Sequence, residues 1–190
     1  MAEIPTDDEL MCRLGTGELR AFGALYDRHK VRVLSFLARL TGDRHIAEDL
    51  LQETFLRVWR HRADYRASGQ FTPWLFTIAR RLVIDHRRAR MPEAEAAEAL
   101  ALDAPEAADD MAATHQRRAS IEDALAELPA AQREIVLLSR VAGMEAGEIA
   151  VVVDSTPGAV RVALHRALKR LRDTLEPERP LDAGRPRGRD

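Results

Sequence analysis

The side chains best suited to covalent or metal chemistry are few and scattered. Six histidines (His29, His45, His61, His86, His115 and His165) and one cysteine, Cys12, lie far apart in the chain. None stands at metal-ligand spacing to another, and no glycine-rich phosphate loop or nucleophile motif accompanies them. The expectation is a protein that is no enzyme and has no cofactor, metal site or small-molecule substrate. Cations and aromatic rings, in contrast, recur at usable spacing. Arg161, His165, Lys169 and Arg172 share one side of a helical register, opposite Val160, Leu164, Ala167, Leu168, Leu171 and Leu175. Tyr65, Phe71, Trp74 and Phe76 mix with Arg60, Arg62, Arg66, Arg80, Arg81, Arg87, Arg88 and Arg90. Cations neutralise phosphates and rings stack on bases, so the chemistry on offer is recognition of a polyanion.

The charge distribution points the same way. Of 190 residues 46% are apolar and 32% charged, which suits a globular protein with a real core, yet the net charge of −2 hides strong segregation. From Arg20 to Arg90 there are 15 Lys/Arg against 7 Asp/Glu, a net of +8. From Met91 to Gln116 there are 7 acids and no Lys or Arg, and from Pro157 to Arg172 5 bases and no acid. Such blocks fit polyanion-binding surfaces flanking an acidic connector, and equally fit solvated helix faces around a disordered linker. A lone cysteine excludes a disulfide framework. There is no apolar run of membrane-spanning length, and Met1-Ala2-Glu3-Ile4-Pro5 is not a secretory start. A cytoplasmic protein is expected.

The elements that must position these residues read as helices throughout. Thr6 and Glu9 form a capping box for a short helix to Leu14, broken by Gly15 and Gly17. A second helix runs from about Glu18 to Leu40, and Asp43 caps a third that reaches His61. Ala63 to Gln70 reads as a loop, with Thr72 as N-cap and Pro73 as first-turn proline of the next helix. Residues 91–116 hold Pro92, Pro105 and no aromatic, and offer little to pack. Three helical segments follow, at about Ser120–Leu128, Ala130–Val141 and Ala146–Val153. A polar turn, Asp154 to Gly158, whose Ser155 or Thr156 can act as cap, leads into a last helix to about Leu175. The expected fold is all-α: two small helical domains, 1–90 and 117–176, joined by the acidic 91–116 linker and followed by a disordered tail, 177–190.

Three surfaces stand out. The last two helices have helix-turn-helix lengths, and a helix with one packed and one basic side suits the major groove. If three or four of its cations meet phosphate, log K falls with log[salt] at a slope of about −3 to −4. A surface helix with cations near its C-terminus is the plainer alternative. In the third helix, Asp49, Gln52, Glu53, Leu56, Arg57 and Arg60 lie opposite the apolar stripe, a partner surface with an apolar centre. On pattern alone a solvated face with one stray leucine explains it better. Among the aromatics, Trp74 and Phe71 fit a core, and Tyr65, in the loop, is the better candidate to touch a base. Cys12, in a short apolar-faced helix, reads as packing rather than redox sensing.

Longer stretches carry a family likeness. Ala47-Glu48-Asp49-Leu50-Leu51-Gln52-Glu53-Thr54-Phe55-Leu56-Arg57-Val58-Trp59 resembles the polymerase-binding helix of extracytoplasmic-function (ECF) sigma factors. Phe71-Thr72-Pro73-Trp74-Leu75-Phe76-Thr77-Ile78-Ala79-Arg80-Arg81 and Ile84-Asp85-His86-Arg87-Arg88 are similar to the family's helix that opens and reads the −10 element. Leu125-Ala126-Glu127-Leu128-Pro129, Arg133, Gly143, Glu148-Ile149-Ala150 and Gly158-Ala159-Val160-Arg161 resemble its −35-reading domain. The resemblance implies that Asp49, Gln52, Glu53, Leu56 and Trp59 grip the clamp helices of the largest subunit of core RNA polymerase. It implies that the loop from Asp64 to Gln70 captures a flipped −10 base. Tyr65, Ser68 and Gln70 are the pocket candidates, with Arg80, Arg81, Arg87 and Arg88 along the strand. Ser155, Thr156, Gly158, Arg161, His165, Arg166 and Lys169 would meet the −35 element. It further implies a linker lying in the polymerase's nucleic-acid channel and an anti-sigma factor that occludes the two domains.

The chain also departs from the family pattern. Arg81 stands where the family usually has Asn, which keeps phosphate affinity but loses an amide able both to donate to and accept from a base edge. Gly158-Ala159-Val160-Arg161-Val162-Ala163 replaces a usual Gly-Thr-Val-Lys-Ser-Arg, so two hydroxyls and a cation are missing. Glu145 replaces the usual capping Ser and is a poorer cap. A helix-turn-helix regulator would explain the C-terminal half alone, and a sigma-like mimic that only sequesters an anti-sigma factor would explain the missing contacts.

Overall fold

A computed structural model describes residues 4–90 and 121–175, so the acidic 91–116 segment and the 177–190 tail lie outside the described residues. Among the described residues there are eight helices and no strand: α1 (Asp7–Gly15), α2 (Leu19–Thr41), α3 (Arg44–Arg60), α4 (Phe71–Arg90), α5 (121–126), α6 (Ala130–Arg140), α7 (Ala146–Val153) and α8 (Pro157–Leu175).

Local chemistry sets most of the ends. The Thr6 hydroxyl accepts from Glu9 N–H at 3.2 Å while the Glu9 carboxylate accepts from Thr6 N–H at 2.7 Å, closing the capping box of α1. One Asp43 oxygen accepts from His45 and Ile46 N–H at 2.8 and 3.1 Å and opens α3. The Ile46 and His45 N–H bonds hold its carboxyl below the ordinary range. Thr156 Oγ1 accepts from Ala159 N–H at 3.2 Å, so Thr156 rather than Ser155 caps α8. At Glu145 the partner does the capping: Glu148 accepts the Glu145 N–H at 2.9 Å. The start of α4 differs from the sequence expectation. The helix begins at Phe71, because the Gln70 carbonyl already accepts the Trp74 N–H at 3.1 Å. Pro73 therefore sits in the third position, where a missing N–H is still harmless.

The first lobe packs α1 to α4 around Leu25, Val33, Phe36, Leu37, Phe55, Val58, Leu75 and Phe76. Phe36 and Phe76 meet edge-on, with centroids 5.3 Å apart. Each such ring or leucine contributes about 1.5–3 kcal/mol by leaving water. Phe71 and Phe76 are thus core side chains rather than part of a nucleic-acid surface. Cys12 is exposed, contrary to the packing role expected of it; Leu10, Met11 and Leu14 make the buried face of α1.

The second lobe packs α5 to α8 around Leu128, Leu138, Ile149, Val152, Val160 and Ala167. Buried Arg133 closes its N-terminal end: its guanidinium donates to the Leu125 carbonyl at 2.8 Å, the Leu128 carbonyl at 3.3 Å, and the Ala126 carbonyl. Leu125 and Ala126 lie in the last turn of α5, where carbonyls lack a following helical N–H, and Leu128 lies in the turn just beyond it.

The lobes touch. α4 lies against α7 and α2 against α6, and their buried side chains form one connected cluster. At the contact Arg80 pairs with Glu134 at 2.7 Å, Arg32 donates to the Ala142 carbonyl at 3.0 Å, and Arg39 meets Glu122 at 3.7 Å.

Candidate nucleic-acid and partner interfaces

The basic side of α8 is open. Val160 and Ala167 are buried beneath it, while Arg161, His165, Arg166 and Lys169 are exposed. Ser155, Thr156 and Gly158 are exposed at its N-terminal end. Asp154, left-handed at φ 54°, turns the chain between α7 and α8. All seven residues expected at a −35 element thus lie on α8 or the turn before it. Val162, 50% exposed among them, puts an apolar contact where a polar one is usual in the family it resembles.

A cleft of roughly 670 Å³ opens between the 61–70 loop, α4 and α7. Tyr65, Ser68, Gln70 and Arg81 line it, together with Arg57, Arg66 and Trp74, and Val151 of α7 forms part of its wall. Half-buried Tyr65 and Trp74 lie with ring centroids 5.0 Å apart, and three guanidiniums surround them. Rings and cations in one concavity can take a base and its phosphate. The other −10 candidates are placed differently. Arg80 is held by Glu134, Arg87 donates to the Leu40 carbonyl, and Arg88 is exposed. Burial and the neighbouring Asp8 carboxylate push the Tyr65 phenol up, so it stays protonated and donates.

On α3, Asp49, Gln52 and Leu56 are exposed and follow one another along a stripe at spacings of three and four, with Leu56 41% exposed. Glu53 is less available: its carboxylate accepts from Arg57 at 3.1 Å and Arg60 at 3.5 Å on its own helix. Trp59 is half-buried, edge-on to Phe22 at 5.7 Å, with the Arg62 guanidinium 4.1 Å over its ring.

Sequence reasoning missed Asp8, Glu134 and Val151. Asp8 accepts from the Tyr65 hydroxyl and the Gly69 N–H, Glu134 holds Arg80, and Val151 walls the cleft. Local pattern gives Asp8 only its place in the first turn of α1, where an acid suits the helix dipole.

Two helical lobes, a helix-turn-helix with an open basic side and a ring-and-arginine cleft define an all-helical protein with surfaces suited to nucleic acid, and α3 adds an exposed stripe of Asp49, Gln52 and Leu56. The family profile of Sigma-70 region 2 matches residues 25–92, and that of Sigma-70, region 4 matches residues 118–171. The chain is 41% identical over 167 residues to the RNA polymerase sigma factor CarQ of Myxococcus xanthus, covering 87% of this chain and 95% of CarQ. It is 36% identical over 155 residues to the ECF RNA polymerase sigma factor SigL of Mycobacterium tuberculosis, covering 80% of this chain and 88% of SigL. Among solved structures it resembles CnrH in complex with the cytosolic domain of CnrY. That match has a TM-score of 0.70 and 25% identity and covers 91% of this chain and 99% of CnrH. The fold is shared as well with the sigma factor RpoE of Bartonella quintana, solved with the anti-sigma factor NepR, at TM-score 0.63 and 24% identity, covering 82% and 99% of the two chains. The chain belongs to the ECF sigma factors of the Sigma-70 family.

Proposed function

We propose that this chain is an alternative sigma factor: it binds core RNA polymerase, directs it to specific promoters and helps open the −10 region. Initiation then uses the polymerase's own NTP chemistry, and the chain acts in the cytoplasm. Residues 1–90 serve as the polymerase-binding and −10 domain, 91–116 as the linker and 117–176 as the −35 domain. The observation that carries the reading is the presence in one chain of the open α3 stripe, Asp49, Gln52 and Leu56, and the open basic side of α8. A regulator that binds duplex alone has no use for the first, and a mimic that binds only an inhibitor has no use for the second.

Asp49, Gln52, Glu53, Leu56 and Trp59 dock on the clamp helices of the largest polymerase subunit. Carboxylates beside an apolar contact suit a partner helix bearing arginines. The 64–70 loop takes a flipped −10 base in the ring-lined cleft, whose stacking offsets the few kcal/mol of unstacking. Arg80, Arg81, Arg87 and Arg88 follow the strand, and the α8 face reads the −35 element. An anti-sigma factor holds the chain inactive, a reading supported by CnrH, the relative solved with the cytosolic domain of CnrY. The test is reconstitution. Purified protein added to core polymerase should co-elute with it and yield a run-off transcript from a host promoter. Duplex binding without transcription would identify a regulator, and absence of both a mimic.

A further inference from the structure

The loop from 61 to 70 is the part of the −10 site with least structure of its own. It contains one backbone turn bond, Asp64 N–H to the His61 carbonyl at 3.1 Å, and no regular ladder. Two bonds tie its outer half down. The Tyr65 hydroxyl donates to one oxygen of Asp8 at 2.5 Å, and the Gly69 N–H donates to the other at 2.5 Å. Among the described residues, these are the hydrogen bonds that join residues 65–69 to the rest of the chain. Gly69 adopts φ 72°, and a Cβ there would meet nothing within 4 Å, so glycine serves the turn that aims this N–H and not close packing.

Asp8 is itself held from below. The capping box fixes the first turn of α1, Asp7 pairs with Arg28 at 2.5 Å and with His29 at 2.8 Å, and Leu10, Met11 and Leu14 are buried. His29 is fully buried and meets Arg32 at 2.9 Å through its other nitrogen. A carboxylate presented from so anchored a turn, accepting at both oxygens, fixes the two ends of a five-residue arc. Ser68 lies within that arc, and Gln70 follows it directly.

We propose that Asp8 is a positioning residue for −10 recognition: its two carboxylate oxygens hold the loop through Tyr65 and Gly69 in the shape that selects a base. The proposal rests on the reading that this loop takes the −10 base. Without Asp8 the ring of Tyr65 still packs on Phe71 and Trp74, so the cleft persists, but the arc above it is free to move. Affinity for core polymerase and for the −35 element should be unchanged, because the hydrogen bonds of the Asp8 side chain go to the 61–70 loop.

The test selects open complexes from a promoter library randomised across the −10 element, using holoenzyme reconstituted with native core polymerase, and reads base preference by sequencing. Asp8→Ala should flatten the preference at the loop-read position about ten-fold or more, the scale of one charge-assisted hydrogen bond lost. Its −35 preference and core affinity should match wild type. Tyr65→Phe, which keeps the ring, should lose part of the preference. Asp8→Asn should retain most of it, since its amide can accept from Gly69 and donate to the Tyr65 oxygen. Ser68→Ala/Gln70→Ala tests the underlying reading. If that pair alters no −10 preference, the loop is not the reader and the proposal falls with it. If that pair flattens the preference and Asp8→Ala leaves it sharp, the loop reads without Asp8 and the proposal alone is wrong.

Discussion

Leu56 is exposed on a helix whose other leucines, Leu50 and Leu51, are buried. What separates it from an ordinary surface leucine is company: Asp49 and Gln52 are exposed on the two turns before it. Docking surfaces draw most of their energy from a few desolvated central side chains. Leu56→Ala is therefore expected to weaken binding to core polymerase about ten-fold, ~1.4 kcal/mol, while changing folding stability by no more than about 0.5 kcal/mol. Competition for core polymerase against a labelled wild-type chain measures the first, and thermal melting the second. Undiminished competition would remove Leu56 from the interface. Trp59 gives no such clean test, because it also packs on Phe22 and carries Arg62 on its ring.

At the scale of elements, α1 is joined to the lobe by charge as well as by its apolar face. Burial raises the Asp7 carboxyl, but the His29 hydrogen bond and charge and then the Arg28 contacts outweigh it, and Asp7 lies below its ordinary value of 3.8. The unfolded chain thus takes up this proton more readily than the folded one. The stabilisation is fully present above pH 3.8 and is lost as pH falls through the lowered folded value. Asp7→Asn should be less stable than wild type at neutral pH, and the gap should close under acid. Amide exchange in α1 at neutral and acid pH reads this locally; a gap that persists in acid would mean that the Asp7 charge does not hold the helix. The same helix shows what a sequence can disclose. Its cap is legible because Thr6 and Glu9 are three residues apart, and Asp43 at α3 is legible too, while at α8 the sequence leaves Ser155 and Thr156 open and the structure selects Thr156. The start of α4 was misplaced by the Thr72-Pro73 pair, since proline is tolerated throughout a first turn. The basic side of α8 follows from spacing within one helix. The contacts that hold the loop and join the lobes do not: Asp8 to Tyr65 spans 57 residues, Arg80 to Glu134 spans 54 and Arg32 to Ala142 spans 110. No periodicity encodes them.

At the scale of the whole molecule, the described lobes are closed on one another in a way that bears on DNA entry. Val151 of α7 walls the cleft, and Arg80, an expected strand contact, is already paired with Glu134. A promoter phosphate reaching Arg80 competes with that carboxylate. Exposed ion pairs contribute about 0.2–1 kcal/mol, and breaking a buried one costs about 3–5 kcal/mol. With side chains 25% and 15% exposed, this pair falls between them. A value of ~1–2 kcal/mol corresponds to a roughly 5- to 30-fold shift in the closed-to-open ratio. Glu134→Gln should open the lobes by that factor, seen as a longer distance between fluorophores placed on α3 and α8. It should also raise the affinity of the free chain for single-stranded −10 DNA by up to the same factor, because Arg80 is released together with the cleft. Glu122→Gln supplies the comparison. Its partner Arg39 stands 3.7 Å away and its side chain is 61% exposed, so solvent screens the pair and neither readout should move. An unchanged fluorophore distance in Glu134→Gln would mean that the apolar contact of α4 with α7, and not this ion pair, sets the closure. Equal opening by both variants would mean that the lobes respond to total charge and not to the grip on Arg80.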